Sequence, residues 1–365
     1  MNIFIEALVF VLAGYLALTN SLASSINDFF QLDAPGFEES SIEQDASKEI
    51  ISIPSIFDRS IPDILLKSQD YQTAALGAAA GLTESTTNDP LEALVNIFCT
   101  LKTDTYIRTT TGSGFFIDPD GVILTNAHIA QFLLLEKTDS FGEAECIVRS
   151  GNPAAAHYNV ELLYIPPTWI QENAAMIDAA VPMGTGERDY ALLYVSNDIE
   201  NKPLPAKFPT IGYDSDLLPV STTGDEVVAA GYPATDLIEN GPSANLFARV
   251  ATTSISDLYT FGSNYADVFS VRGSIVGAEG SSGGPIVNKD GNVIGMIATR
   301  GDDEADGHGS LRAITLSHID RTIKEETGFT LAENLNGNLP YRGEIFANTL
   351  TPFLVRILEE ARDTQ

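Results

Sequence analysis

From Leu91 onward, apolar residues come in short runs broken by turn residues. Leu94 to Leu101 (LVNIFCTL) reads as a buried strand, and Gly112-Ser113-Gly114-Phe115-Phe116-Ile117 as the next. Asp118-Pro119-Asp120-Gly121 is a turn signal, and Val122 to Thr125 returns, so the pattern predicts a β-hairpin. Further strand-like runs fall at Cys146–Val148, Val160–Tyr164, Ala191–Val195, Val227–Gly231, Leu246–Ile255 and Val268–Val276. Ile286-Val287 and Val293 to Ala298 flank a last turn, Asn288-Lys289-Asp290-Gly291. Short strands with frequent turns and no alternation with helices predict an all-β barrel architecture.

Helical signals are few. Thr168 is a candidate cap for a helix over Trp169–Ala180, which would form a lid or a packing element. Ser317 is a candidate cap for a helix from His318 to Thr327, stopped by Gly328. Thr351 and Pro352 open a last helix whose apolar face is Phe353, Leu354, Ile357 and Leu358.

Ahead of Leu91 the pattern is different. Residues 3–18 are almost wholly apolar, which is short of the roughly 20 residues of a membrane span. Ser21-Leu22-Ala23 offers small residues where a signal peptidase reads, so 1–23 is expected to be a signal peptide. Glu6 and the lack of Lys or Arg before Lys48 depart from that pattern and leave an uncleaved anchor or a buried helix as alternatives. Export, periplasmic or extracellular, is the expected destination. Residues 24–90 read as an extension or linker, acidic over 34–48, with one short helix around 61–80.

Charge narrows the partners. The chain carries 50 Asp plus Glu against 20 Lys plus Arg, a formal charge of −30. Nucleic acids and anionic membrane surfaces are bound by basic surfaces and are therefore not expected as partners. Asp302-Asp303-Glu304-Ala305-Asp306 lacks the ligand spacing of an EF-hand, so it reads as a solvated loop and no metal or cofactor is expected. Cys99 and Cys146 fit no metal motif; in an exported protein they form one disulfide, and otherwise two buried thiols.

Three places carry candidate chemistry. Gly280-Ser281-Ser282-Gly283-Gly284-Pro285 offers a nucleophile, Ser282, with the amides of Gly280 and Ser282 as donors to an oxyanion. His128 lies just past a hairpin strand, and Asp189 heads the apolar strand Tyr190–Val195. Each signal alone has a bland reading: a Gly/Ser loop, a structural histidine, an aspartate ending a turn. Together they run His, Asp, Ser along the chain, one of the orders in which a catalytic triad occurs.

The wording around them resembles the trypsin-like serine proteases, and more narrowly the bacterial HtrA-like branch. Gly112 to Ile117, Ile123-Leu124-Thr125-Asn126-Ala127-His128, and Gly224-Asp225-Glu226-Val227 leading to Gly231-Tyr232-Pro233 carry the resemblance. It covers about residues 91–325 and implies two six-stranded antiparallel β-barrels, about 91–200 and 215–316, with the site between them. It implies His128 as base, Asp189 as its orienting acid and Ser282 as nucleophile. It also implies Val276 at the base of the primary specificity pocket, favouring small or aliphatic side chains, and Ala298 and Thr299 on a strand that pairs with extended substrate.

Two departures limit what carries over. Ser281, not an acid, precedes the nucleophile, so activation by a newly cut N-terminus is not expected. About 40 residues, 326–365, follow the matched region, too few for a PDZ module and read as an extension with one helix. The expected function is a serine endopeptidase acting on protein or peptide substrates. The rivals are a catalytically silent protease fold that binds partners and an α/β-hydrolase esterase, which needs a helix after the serine that Gly-Gly-Pro opposes.

Overall fold

The structure is a computed structural model, and it describes residue 87 and residues 89–179, 186–241, 243–303 and 309–363. The proposed signal segment and the helix around 61–80 lie outside the described residues.

Twelve strands form two closed barrels among the described residues. The first contains β1 (Leu94–Lys102), β2 (Ile107–Asp118), β3 (Val122–Thr125), β4 (Glu143–Ser150), β5 (Ala155–Tyr164) and β6 (Ala191–Asp198), closed in the order β1-β2-β3-β6-β5-β4. The second contains β7 (Glu226–Gly231), β8 (Arg249–Tyr259), β9 (Val268–Val271), β10 (Pro285–Val287), β11 (Val293–Asp303) and β12 (Gly309–Thr315), in the order β10-β11-β12-β9-β8-β7. Every pairing in both barrels is antiparallel, and the predicted hairpin turns fall between β2 and β3 and between β10 and β11.

Cys99 and Cys146 face each other across the β1–β4 pair and are bridged. That pair closes the first barrel, so the disulfide sits on its seam. The bridge spans 47 residues and contributes about 4 kcal/mol in the chain-entropy account.

Nine α-helices punctuate the described chain: α1 (Pro90–Ala93), α2 (Ala127–Ala130), α3 (Phe132–Leu135), α4 (Pro167–Asn173), α5 (Thr235–Asn240), α6 (Leu316–Thr327), α7 (Leu331–Asn334), α8 (Leu339–Thr349) and α9 (Thr351–Asp363). The cap of α6 is Thr315 rather than Ser317, because the Thr315 hydroxyl accepts from the His318 amide at 3.1 Å. Gly328, at φ 84°, ends it as expected. The helix at Trp169 starts two residues early, at Pro167, and ends at Asn173. Trp169 and Ile170 are fully buried in it, so α4 is a packing element and not a lid.

The C-terminal extension holds three helices where one was expected. Phe346, Leu350, Leu354 and Leu358 are buried and join the core of the first barrel. Each fully buried side chain of this kind is worth about 1.5–3 kcal/mol. The Tyr194 ring of β6 fits against Gly343 of α8, where a Cβ would lie 2.5 Å from it. The chain thus leaves the second barrel and returns to cover the outside of the first.

Candidate active site

Register brings the acid to the histidine. β3 and β6 are neighbours, with Thr125 opposite Ala191. His128 lies three residues past the end of β3, in α2, and Asp189 two residues before β6. The two chain ends therefore meet at one rim of the first barrel. Asp189 Oδ1 accepts from the His128 amide at 2.9 Å, and Oδ2 lies 2.7 Å from His128 Nδ1. Asn126 Nδ2 donates to the Asp189 carbonyl at 2.8 Å. His128 is 4% exposed and Asp189 1%. A carboxylate at Nδ1 favours the tautomer with its proton there, which leaves Nε2 free to act as a base.

The residues on either side of Asp189 are tied to α6. Arg188 takes a left-handed turn, φ 55°, and its guanidinium meets Glu187, Glu325 and Glu326 at 3.1, 3.6 and 3.1 Å. The Tyr164 hydroxyl donates to Glu326 at 2.5 Å. Tyr190 is fully buried with its hydroxyl 3.0 Å from that of Thr322 on α6. Burial pushes the Glu326 carboxyl above the usual carboxylate range and the Tyr190 phenol well above its ordinary value.

Ser282 sits on the turn before β10. Gly280 and Gly283 have φ of 92° and 90°, a region that glycine enters without strain. A Cβ on Gly283 would lie 1.8 Å from the Ser113 carbonyl oxygen, so the turn presses directly on the first barrel. Ser113 of β2 makes the joint. Its amide donates to the Ser282 carbonyl at 2.6 Å, and its hydroxyl donates to the Gly280 carbonyl at 2.8 Å while accepting from the Tyr232 amide at 2.9 Å. Its own carbonyl accepts from the Thr125 hydroxyl at 2.8 Å, on the strand that leads to His128. The Ser113–Thr125 pair thus docks the serine turn on the strand that leads to His128. In the sequence Ser113 reads as a strand residue, and its only other signal is a hydroxyl between two glycines.

These bonds aim the turn's amides. The C=O and N–H of a trans peptide point opposite ways. The Glu279 carbonyl accepts from the Ala234 amide at 2.7 Å, which turns the Gly280 N–H away from it. The Ser281 carbonyl accepts from the Gly284 amide at 2.9 Å and does the same for the Ser282 N–H. Neither the Gly280 nor the Ser282 amide has a partner among the described residues. Two preset, unspent donors flank a partly exposed serine, as an oxyanion requires. The Ser282 hydroxyl itself donates to the Ala298 carbonyl at 3.2 Å in this resting state. Ser281, in place of an acid, is buried with its hydroxyl unpartnered.

The other predicted positions divide. Ala298 and Thr299 of β11 line a pocket of about 280 Å³ in the cleft. Val276 is fully buried in the core of the second barrel and lines none of the described pockets. In a second buried Asp–His pair no hydroxyl meets His318 Nε2 among the described residues: Asp267 Oδ1 lies 3.1 Å from His318 Nδ1 and is also paired with Arg321. Burial opposes the Asp267 charge, yet the Ser263 hydroxyl and the Phe261 amide outweigh it and hold that carboxyl below its ordinary value. Burial, with Arg321 nearby, brings His318 down to about 4. The pair fixes the loop from Thr260 to Asp267.

Two antiparallel barrels with a buried aspartate–histidine pair beside a partly exposed serine turn are the plan of a chymotrypsin-fold serine peptidase. The chain belongs to the trypsin-like peptidase domain family, whose model matches residues 112–296. It is similar to Serine protease HTR4 of Rattus norvegicus, 25% identical over 263 residues that make up 71% of this chain and 42% of that protein. It is also similar to Putative protease Do-like 14 of Arabidopsis thaliana, 29% identical over 51% of this chain and 34% of that protein. Serine protease HTRA1A of Danio rerio is 29% identical over 51% of this chain and 29% of its own length. The chain thus spans less than half the length of these relatives.

Proposed function

We propose that the protein is a serine endopeptidase working through His128, Asp189 and Ser282. The observation that carries this reading is the His128–Asp189 pair together with the two unpartnered amides at Gly280 and Ser282. The Ser282 hydroxyl swings from the Ala298 carbonyl to His128 Nε2, loses its proton there and attacks the substrate carbonyl. The oxyanion is held by the Gly280 and Ser282 amides, and Asp189 stabilises the imidazolium. The imidazolium then protonates the leaving amine. Water, deprotonated by His128, releases the acyl group and restores Ser282.

Substrates are extended polypeptides. Past Ile297, β11 has no strand paired on its β10 side among the described residues, so its edge from Ala298 accepts a substrate strand. A preference for small or aliphatic side chains at the cleaved residue is proposed from the family resemblance alone, since Val276 itself lies in the core of the second barrel. Export is proposed from the apolar segment at 3–18 and is supported by the Cys99–Cys146 bridge, since disulfides persist in oxidising compartments.

Fluorophosphonate labelling of the protein and of Ser282→Ala, with casein hydrolysis alongside, tests the reading. Labelling and cleavage that both vanish in the variant are expected. An unlabelled, inactive wild type would establish the silent binding fold instead, with the Ser282–Ala298 bond as its resting state.

A further inference from the structure

The peptidase reading leaves open which side chains the cleft selects, and one charged residue stands out there. Arg312 of β12 is paired in register with Thr299 of β11, so the two side chains share a face of the sheet. A substrate residue held opposite Thr299, on the free edge of β11, points to that same face. So do substrate residues two positions away, because an extended chain alternates. The substrate strand and β12 lie two strand spacings apart, about 9.6 Å. An arginine and a glutamate side chain together span that gap.

This face is a built pocket of about 280 Å³. Its walls include Tyr259, Phe261, Val268 and Ile314, and Arg312 is its one charged lining residue among the described residues. Phe261 is fixed in place: its amide donates to Asp267 at 2.8 Å and its ring lies 5.1 Å from that of His318. The Arg312 guanidinium lies 5.8 Å from the centre of the Tyr259 ring. Arg312 is exposed and makes no ion pair among the described residues, in a chain with 50 acidic and 20 basic residues.

We propose that this pocket is a subsite for an acidic substrate side chain and that Arg312 is its specificity-determining residue. A carboxylate accepts the two parallel N–H groups of the guanidinium, and the stem of the acidic residue packs on the aromatic wall. The protein's net charge repels acidic peptides, so this cation sets the place where one is admitted. The inference rests on the peptidase reading above.

The test is a set of internally quenched peptides carrying Glu or Lys in turn at each position around one cleavable bond. Wild type and Arg312→Glu are compared, and fluorophosphonate labelling counts the active serines of each. The quantity read is the Glu-to-Lys ratio of kcat/KM within one protein, so any general loss of activity cancels. Wild type is expected to prefer Glu by about tenfold at positions two apart and not at the one between, and Arg312→Glu to invert that ratio. A ratio that Arg312→Glu leaves unchanged, with labelling intact, overturns the subsite. A wild type that neither labels nor cleaves overturns the peptidase reading and the subsite with it.

Discussion

The hydroxyl of Ser113, on the first barrel, donates at 2.8 Å to the carbonyl of Gly280, on the second. The two residues are 167 positions apart in the chain. The bond ties a catalytic turn to the strand pair that positions the histidine, so barrel docking and oxyanion geometry are one event. Ser113→Ala leaves the Tyr232 amide without its acceptor and frees the Gly280 carbonyl. The expected result is a fall in kcat of about ten- to a hundredfold with little change in KM. Affinity for a peptide boronate, which mimics the oxyanion, is expected to drop in proportion. Equal losses in KM and kcat would show a general loosening instead.

Asp189→Asn keeps the size of the side chain and removes its charge. The histidine then takes its proton from the wrong side for catalysis. A loss of about 10⁴ in kcat is expected, the scale set by the equivalent change in the chymotrypsin-type triad. Circular dichroism and Ser282 accessibility to small reagents should be unchanged. Retention of more than a tenth of the activity would remove Asp189 from the mechanism.

Gly283→Ala probes the press of the turn on β2. The new Cβ would lie 1.8 Å from the Ser113 oxygen and 2.8 Å from the Thr125 hydroxyl, at φ 90°. Backbone cannot yield at that distance without parting the barrels. A stability loss of several kcal/mol is expected in urea unfolding, larger than the about 1 kcal/mol typical of a point change.

Glu136 makes the first barrel sensitive to pH. Burial raises its carboxyl to about 7, against the opposing bond from the Cys146 amide at 2.6 Å, with Glu145 and Glu161 adding to the rise. Its ordinary value is 4.5, so between pH 4.5 and 7 the folded state binds more protons than the unfolded state. Stability therefore falls as pH rises through that window and is flat above it. Glu136→Gln should abolish this part of the slope and raise stability at pH 8 by about 1 to 3 kcal/mol. Urea midpoints at pH 5 and pH 8, with and without the substitution, measure it.

Much of the fold was legible because its signals are local. Asp118 to Gly121 and Asn288 to Gly291 mark their hairpins within four residues, and the triad residues carry their chemistry in their own side chains. What escaped is set by distance. Ser113 acts through partners far along the chain, which no window of sequence exposes. The helices α7 and α8 have their own caps, Thr330 and Asn338, but the purpose of α7 to α9 is the outer face of a barrel that ends at Asp198. α6 begins two residues early because Thr315 and Ser317 both suit a cap, and only the tertiary path of β12 chooses between them. Val276 falls in the turn after β9 and is buried in the core of the second barrel, where a pocket floor and a core residue read alike.

The proposed peptidase, concentrated among its own copies, would meet itself as substrate. The tip joining β1 to β2 is one exposed place to be cut, with Tyr106 49% and Ile107 68% accessible. Cys99 precedes that tip and Cys146 follows it. A break there leaves both pieces tethered across the barrel seam, with His128, Asp189 and Ser282 all on the longer one. Self-inflicted nicking at this point would thus be visible on a reducing gel and silent on a non-reducing one, and the damaged molecule would remain a single particle.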